Sequence, residues 1–165
     1  AAPVLIDYFR AKAIPQLTVV APDVGSIKMA RAYAKRLGAS LALVDKRRTQ
    51  ADDAEVMTLI GDVEGRNIVI FDDVISTGKT VARAAVALRE HGAREIYVGA
   101  THAVLSHQAP QYLAKAPVRE VVVTDSLQLP EESRWEALTI LSVSGILGEA
   151  IRRIHEERSL SSLFV

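Results

Sequence analysis

Seven short apolar runs, separated by helical or polar stretches, constrain this chain more than any other feature. They are Leu17–Ala21, Leu41–Val44, Val56–Ile60, Ile68–Phe71, Ile96–Ala100, Val118–Val123 and Leu138–Leu141. They are rich in Val and Ile and mostly continuous rather than alternating. Strands read this way when both faces of a mainly parallel sheet are covered. Between them, Ile27–Leu37, Thr80–His91 and Gln108–Lys115 carry apolar residues at helical spacing. Gly38 and Gly92 stand where two of these helices should stop, and a strand follows each. Short strand–helix–strand returns predict an α/β fold, a mainly parallel twisted sheet flanked by helices. A last helix is expected from about Gly145 to Glu157, running into a Ser-rich tail that ends Leu163-Phe164-Val165.

Composition narrows the function. At 165 residues, 49% apolar and 24% charged, one domain spanning 1–165 is expected. Twenty basic and twenty acidic residues cancel, which argues against a nucleic-acid partner, since phosphate contacts want a basic excess. No cysteine is present, so disulfides, thiolate zinc sites and cysteine nucleophiles are excluded. No apolar run approaches the roughly 18 residues of a membrane span. With no basic stretch leading into an apolar core at the amino terminus, the expected location is cytoplasmic, with no membrane partner. Lys46 to Glu55 (KRRTQADDAE) breaks the rhythm and reads as a loop that moves.

The sharpest local signal is Asn67–Thr80, NIVIFDDVISTGKT. A buried strand ends in Asp72 and Asp73, a turn offers Ser76, Thr77 and Gly78, and a helix starts at Lys79-Thr80. Amides at a helix start, with hydroxyls and a glycine, cradle an anion, and phosphate is the natural guest. Gly78-Lys79-Thr80 looks like the end of a Walker A loop, but that motif needs a glycine where Asp73 stands. Acids beside a phosphate cradle suit a hydroxylated ligand such as a ribose diol. The plainer alternative is a capped helix with a solvated strand end. Pro22-Asp23-Val24-Gly25-Ser26 makes a second strand–loop–helix anion site, with Asp23 either placed for a divalent ion or serving as a helix cap. Lys46 and Arg48 either stabilise charge in phosphoryl transfer or are a solvated charge run. The four histidines have poor metal-ligand spacing, and Trp135 reads as packing.

IVIFDDVISTGKT resembles the phosphoribosyl-diphosphate motif of the phosphoribosyltransferase fold. Together with VVAPDVGSIKMA, DKRR, LIGDV, Thr101-His102, VVVTDS and EAIRRIHEERSLSSLF, it makes the chain similar, from about Pro3 to Phe164, to the carboxyl-terminal half of the ribose-phosphate diphosphokinase family. The resemblance implies transfer of the diphosphoryl group of ATP to ribose 5-phosphate, giving 5-phosphoribosyl 1-diphosphate and AMP, with Mg2+ as cofactor. It implies that Lys46 and Arg48 are the catalytic cations. Asp72, Asp73, Ser76, Thr77, Gly78, Lys79 and Thr80 would hold ribose 5-phosphate. Asp23, Val24, Gly25 and Ser26 would receive the diphosphate, Asp23 also binding the metal. Ser159 and Ser161 would belong to a regulatory site between subunits of a homo-oligomer, a hexamer in the intact family enzyme. Two departures are visible: Ser26 replaces a usual second glycine, and Ser76 stands where the family often has aspartate. Ala1–Lys12 resembles the helix that follows the family's first half, which this chain does not contain, so the chain by itself is expected to bind without turnover. The rival readings are a phosphoribosyltransferase that consumes phosphoribosyl diphosphate, and a silent regulatory subunit.

Overall fold

A computed structural model describes residues 1–47 and 56–163. Twelve principal elements alternate along it. Helix α1 (Ala2–Ala11) leads into β1 (Leu17–Ala21), α2 (Ile27–Leu37), β2 (Ser40–Arg47), β3 (Val56–Ile60) and β4 (Asn67–Ile75). Then follow α3 (Lys79–Glu90), β5 (Ile96–Ala103), α4 (Ala109–Lys115), β6 (Glu120–Thr124), β7 (Leu138–Leu141) and α5 (Ser144–His155). The seven strands form one sheet in the order β3-β2-β1-β4-β5-β6-β7. Every neighbouring pair is parallel except β2 and β3. This is the architecture the apolar runs predict.

Several expected boundaries move: β6 begins at Glu120 rather than Val118, β5 runs on from Ala100 to Ala103, and two further extensions bear on the site. The polar stretch does not begin at Lys46: Asp45, Lys46 and Arg47 continue β2 and pair antiparallel with Thr58, Met57 and Val56. A strand needs a backbone partner on its ladder, and polar residues accept one as readily as apolar ones. The remainder of the expected loop, 48–55, lies outside the described residues. Likewise β4 runs on past Phe71 through both aspartates to Ile75, because β5 continues alongside it, Val74 opposite His102 and Ile75 opposite Ala103.

Side-chain alternation sends each strand's residues to two cores. On one face Val20, Ile68, Ile70, Val98, Val121 and Val123 pack under Val81, Ala84 and Leu88 of α3 and Leu113 of α4. Trp135 packs against this core, as the sequence suggests. On the other face Val19, Val69, Phe71 and Val122 meet Leu5, Ile6 and Phe9 of α1 and Ala30, Tyr33 and Ala34 of α2. The second core is aromatic at its centre. Phe71 stacks on Tyr33 with ring centroids 3.9 Å apart and takes Phe9 edge-on at 5.4 Å. Gly99 makes the room: a Cβ there would lie 2.5 Å from Phe71 Cε1 and 3.0 Å from Phe9 Cε2. Gly99→Ala is therefore expected to cost about 2–3 kcal/mol through overpacking. Urea unfolding checks it, and a change under about 0.5 kcal/mol would show that the rings have space to move.

Helix α1 is clasped to the far side of the sheet by Glu120. Tyr8 Oη donates to Glu120 Oε1, Thr139 Oγ1 donates to the same oxygen at 2.7 Å, and Lys12 Nζ lies 2.9 Å from Oε2. Burial alone would raise the Glu120 carboxyl, but the hydrogen bonds from Tyr8, Lys12 and Thr139 outweigh it and hold it below the usual range. Removing the carboxylate leaves the Tyr8 hydroxyl and the Lys12 ammonium without this acceptor. Glu120→Ala should cost about 2 kcal/mol, less than for a fully enclosed pair because the site is partly wet. Thermal unfolding is the readout, and Glu120→Gln should recover part of the loss.

Candidate functional site

The connection direction reverses between β1 and β4. From β1 the chain crosses by α2 to β2 on one side, and from β4 it crosses by α3 to β5 on the other. Open α/β sheets bind ligands at such a point, outside the carboxyl ends of the strands. Here it brings together the loop after β1 and the turn after β4, the two segments the sequence singles out.

Ser76, Thr77 and Gly78 form the turn. Gly78 lies at φ 71°, ψ −6°, caps α3, and is enclosed by Leu113 and Ala109 of α4. The first helical bond is Ala82 N–H to Gly78 O at 2.9 Å, so the amides of Lys79, Thr80 and Val81 have no acceptor in the preceding turn. A cavity of about 110 Å³ opens there, lined by Asp72, Val74, Ser76, Thr77, Gly78 and Thr80 among others. The structure thus gathers most of the expected sugar-phosphate residues around one hollow. Lys79 contributes its place in the helix, while its ammonium lies over the Tyr112 ring, 5.6 Å from the centroid.

The two aspartates differ, as adjacent strand residues must. Asp72 is half-buried and Asp73 exposed. Asp72 Oδ1 accepts the Asp73 amide at 2.9 Å. Burial pushes the Asp72 carboxyl up to about 6, and the charges of Asp73 and Asp23 push the same way. Two carboxylates on β4 and one from the loop after β1 therefore act on one another across the crevice.

In the loop after β1, Asp23 Oδ1 accepts Ser26 N–H at 2.9 Å and faces the Ser26 hydroxyl at 3.1 Å. The N-cap position of α2 is Ser26, with no side-chain cap bond, so Asp23 is not the helix cap that the sequence offered as one reading; it ties down the loop ahead of that helix instead. This employs one carboxylate oxygen and does not exclude a ligand on the other. Val24 and Gly25 are exposed, and Ser26 is buried. A Cβ at Gly25 would lie 3.3 Å from Asp23 Oδ1, so the position is tight as well as open. Lys46 is placed at the end of β2, and Arg48 lies outside the described residues. Among the described residues no group of three or more His, Cys, Asp or Glu side chains stands ready-made around a metal ion. In the tail, Ser161 N–H donates to Ser159 Oγ at 3.3 Å, and Arg153 reaches Ser159 O at 3.1 Å and the Ser162 hydroxyl.

Of two groups beside the crevice, one has no sequence signature, and the other lies in the Thr101-His102 and VVVTDS blocks, which do not show its contact. Ser106 follows β5, donates its amide to Ser76 O at 3.0 Å and places its hydroxyl 3.5 Å from that of Ser76. Its flanking residues Leu105 and His107 take φ of 45° and 56°, a conformation that glycine-spotting cannot find. Further along the same edge, Ser126 Oγ donates to Thr101 O at 3.0 Å, so it accepts from His102 Nδ1 at 2.9 Å. That places a proton on His102 Nδ1.

Comparison with known structures defines the class first. A purine phosphoribosyltransferase from Pyrococcus horikoshii superposes with a TM-score of 0.55 at 18% identity, covering 86% of this chain and 84% of that one. It shares the fold. Phosphoribosylpyrophosphate synthetase from Mycobacterium smegmatis superposes with a TM-score of 0.87 at 38% identity, covering 95% of this chain and 51% of that one. Residues 49–165 match the phosphoribosyl synthetase-associated domain, and the chain belongs to that family. Proteins named ribose-phosphate pyrophosphokinase from Nostoc sp. and Synechococcus elongatus are 49% and 51% identical over 98% of this chain. The chain spans about half the length of these curated relatives, 49% and 50%.

Proposed function

We propose that this chain is the sugar-phosphate half of a ribose-phosphate diphosphokinase. The observation that carries the reading is the hollow of about 110 Å³ at the β1–β4 switch point, with hydroxyls and helix-start amides on one wall and Asp72 on another. A sugar's terminal phosphate fits the amides of Lys79 and Thr80 and the hydroxyls of Ser76, Thr77 and Thr80. Its hydroxyls then face Asp72 and Asp73, which accept hydrogen bonds and fix the ring. The loop from Asp23 to Ser26 receives the diphosphate, and Lys46 with Arg48 offsets charge that builds on the transferring group. The residues fit Mg2+: a carboxyl held up by burial and by like charges is relieved by a divalent cation, and Mg2+ keeps waters and substrate oxygens rather than a full protein cage. When bound, that ion neutralises phosphate charge; alignment of the 1-hydroxyl with the diphosphoryl group comes from the chain's own walls. ATP is the second substrate, and its pocket and the homo-oligomer belong to the longer protein. No helix among the described residues is long and apolar enough to cross a membrane.

Calorimetry with ribose 5-phosphate tests the half in hand: binding that sulfate competes away is expected, with no AMP formed from ATP. When the chain replaces the matched half of the Synechococcus relative, AMP formation from ATP and ribose 5-phosphate is expected. Absence of sugar-phosphate binding, or base-dependent release of diphosphate from phosphoribosyl diphosphate instead, would overturn the assignment.

A further inference from the structure

The connection from β5 to α4 touches the turn after β4 at two places. Ala109 and Leu113 enclose Gly78. Just before them the chain runs beside the end of β4: Leu105 N–H donates to Ile75 O and Ser106 N–H to Ser76 O, each at 3.0 Å. Ser106 is half-buried, and its hydroxyl lies 3.5 Å from that of Ser76. Ser76 lines the hollow and Ser106 does not, so Ser106 acts on a ligand there through Ser76.

This placement is held against backbone preference. Five non-glycine residues among those described have positive φ, and two of them, Leu105 and His107, flank Ser106. Cβ sterics disfavour that conformation for L-residues; it persists where the surroundings dictate it, and it gathers at ligand sites. Here the buried Leu105 side chain, the two bonds to Ile75 and Ser76, and the bond from Ala109 N–H to Ser106 O at 3.1 Å fix the bend.

We propose that Ser106 is a positioning residue for the anion site, aligning the hydroxyl of Ser76. This rests on the reading of the turn as the sugar-phosphate cradle. The order of protons follows from the guest. An ionised phosphate oxygen offers only lone pairs, so the Ser76 hydroxyl gives it its single proton. Ser76 Oγ then accepts from the Ser106 hydroxyl, and that bond turns the Ser76 proton into the hollow. At 3.5 Å the contact is at the limit of a hydrogen bond. It shortens when an anion draws the Ser76 proton, because a hydroxyl that donates is a better acceptor. The amide bond from Ser106 to Ser76 O fixes the peptide from which that hydroxyl projects.

Calorimetry with ribose 5-phosphate on this chain reads the coupling. Ser106→Ala should weaken binding about fivefold, as loss of a neutral hydrogen bond does, and Ser76→Ala about tenfold, since its bond meets a charge. The double variant should lose about tenfold and not about fiftyfold, because without the Ser76 hydroxyl there is nothing to align. Ser106→Thr keeps a hydroxyl and should bind within about twofold of the natural chain. Inorganic phosphate, titrated as competitor, should lose the same factor in Ser106→Ala. That variant keeps both backbone bonds and should match the natural chain in circular dichroism; if it does not fold, Ser106→Cys, a poor donor of similar shape, takes its place. Undiminished affinity in Ser106→Ala, losses that multiply in the double variant, or a loss that Ser106→Thr does not restore would each overturn the proposal and leave the cradle standing. So would a loss confined to ribose 5-phosphate, since the Ser76 hydroxyl would then face the sugar. Failure of the natural chain to bind either probe refutes the cradle and the positioning role with it.

Discussion

Gly78→Ala should lose ribose 5-phosphate binding by about 100-fold or more while the protein stays folded. The stability cost has two parts. An L-residue forced to φ 71° pays about 1–2 kcal/mol in backbone sterics. Its Cβ would also press on Leu113 Cγ at 3.2 Å and Ala109 O at 3.4 Å, so α4 must yield by a few tenths of an ångström. The affinity cost is larger because the strain is relieved by turning the peptide planes that start α3, and those planes carry the amides aimed at the phosphate. A hydrogen bond to a charged group contributes about 1.5–3 kcal/mol, so misdirecting one or two amides suffices for the loss. Gly38→Ala is the matched control. Gly38 has φ 63° at the end of α2, and nothing lies within 4 Å of its missing Cβ. It should show the backbone cost in thermal unfolding and full sugar-phosphate affinity in calorimetry. If Gly78→Ala binds as tightly as Gly38→Ala, the turn is not the phosphate cradle.

Much of this arrangement is legible in the residues. The short apolar runs mark β1, β3 and β7 to the residue, and the Ile27–Leu37 periodicity marks α2. The two candidate loops are legible because each follows a strand and opens a helix. What the sequence hides is pairing. β2 continues through Lys46 because β3 returns antiparallel beside it, and β4 continues through Asp72 and Asp73 because β5 accompanies it. The charged residues at the start of each extension mask it, and each rests on the ladder of a neighbouring strand. Ser106 is hidden for the same reason, and so is the contact between His102 and Ser126, though both residues lie in blocks the sequence singles out. Lys79 shows the converse: its motif position suggests a phosphate ligand, yet an aromatic ring one helix away draws its ammonium off.

Asp72→Asn should make the protein more stable at pH 8 and worse at its task. In the folded state the Asp72 carboxyl lies at about 6, above its ordinary 3.8, first because it is buried and then because Asp73 and Asp23 repel its charge. Between roughly pH 4 and 6 the folded chain therefore holds a proton that the unfolded chain releases. The unfolded state binds fewer protons, so stability falls as pH rises through that window and stays lowered above it. Asparagine has nothing to ionise. The variant should gain about 1–2 kcal/mol over the natural chain above pH 7, the full shift being discounted because the group is partly exposed, and gain nothing below pH 4. Urea unfolding at pH 4 and pH 8 reads the difference directly. The same charge that strains the empty crevice is the one a ribose hydroxyl or a bound cation would satisfy, so affinity for ribose 5-phosphate should drop by about 10- to 100-fold. A stability gain without an affinity loss would make Asp72 a buried acid with no ligand. An affinity loss without a stability gain would mean the crevice already satisfies the charge. Only the two together identify a site in which folding stability is given up for ligand contact, the trade expected where a charged group is held ready in a half-dry cleft.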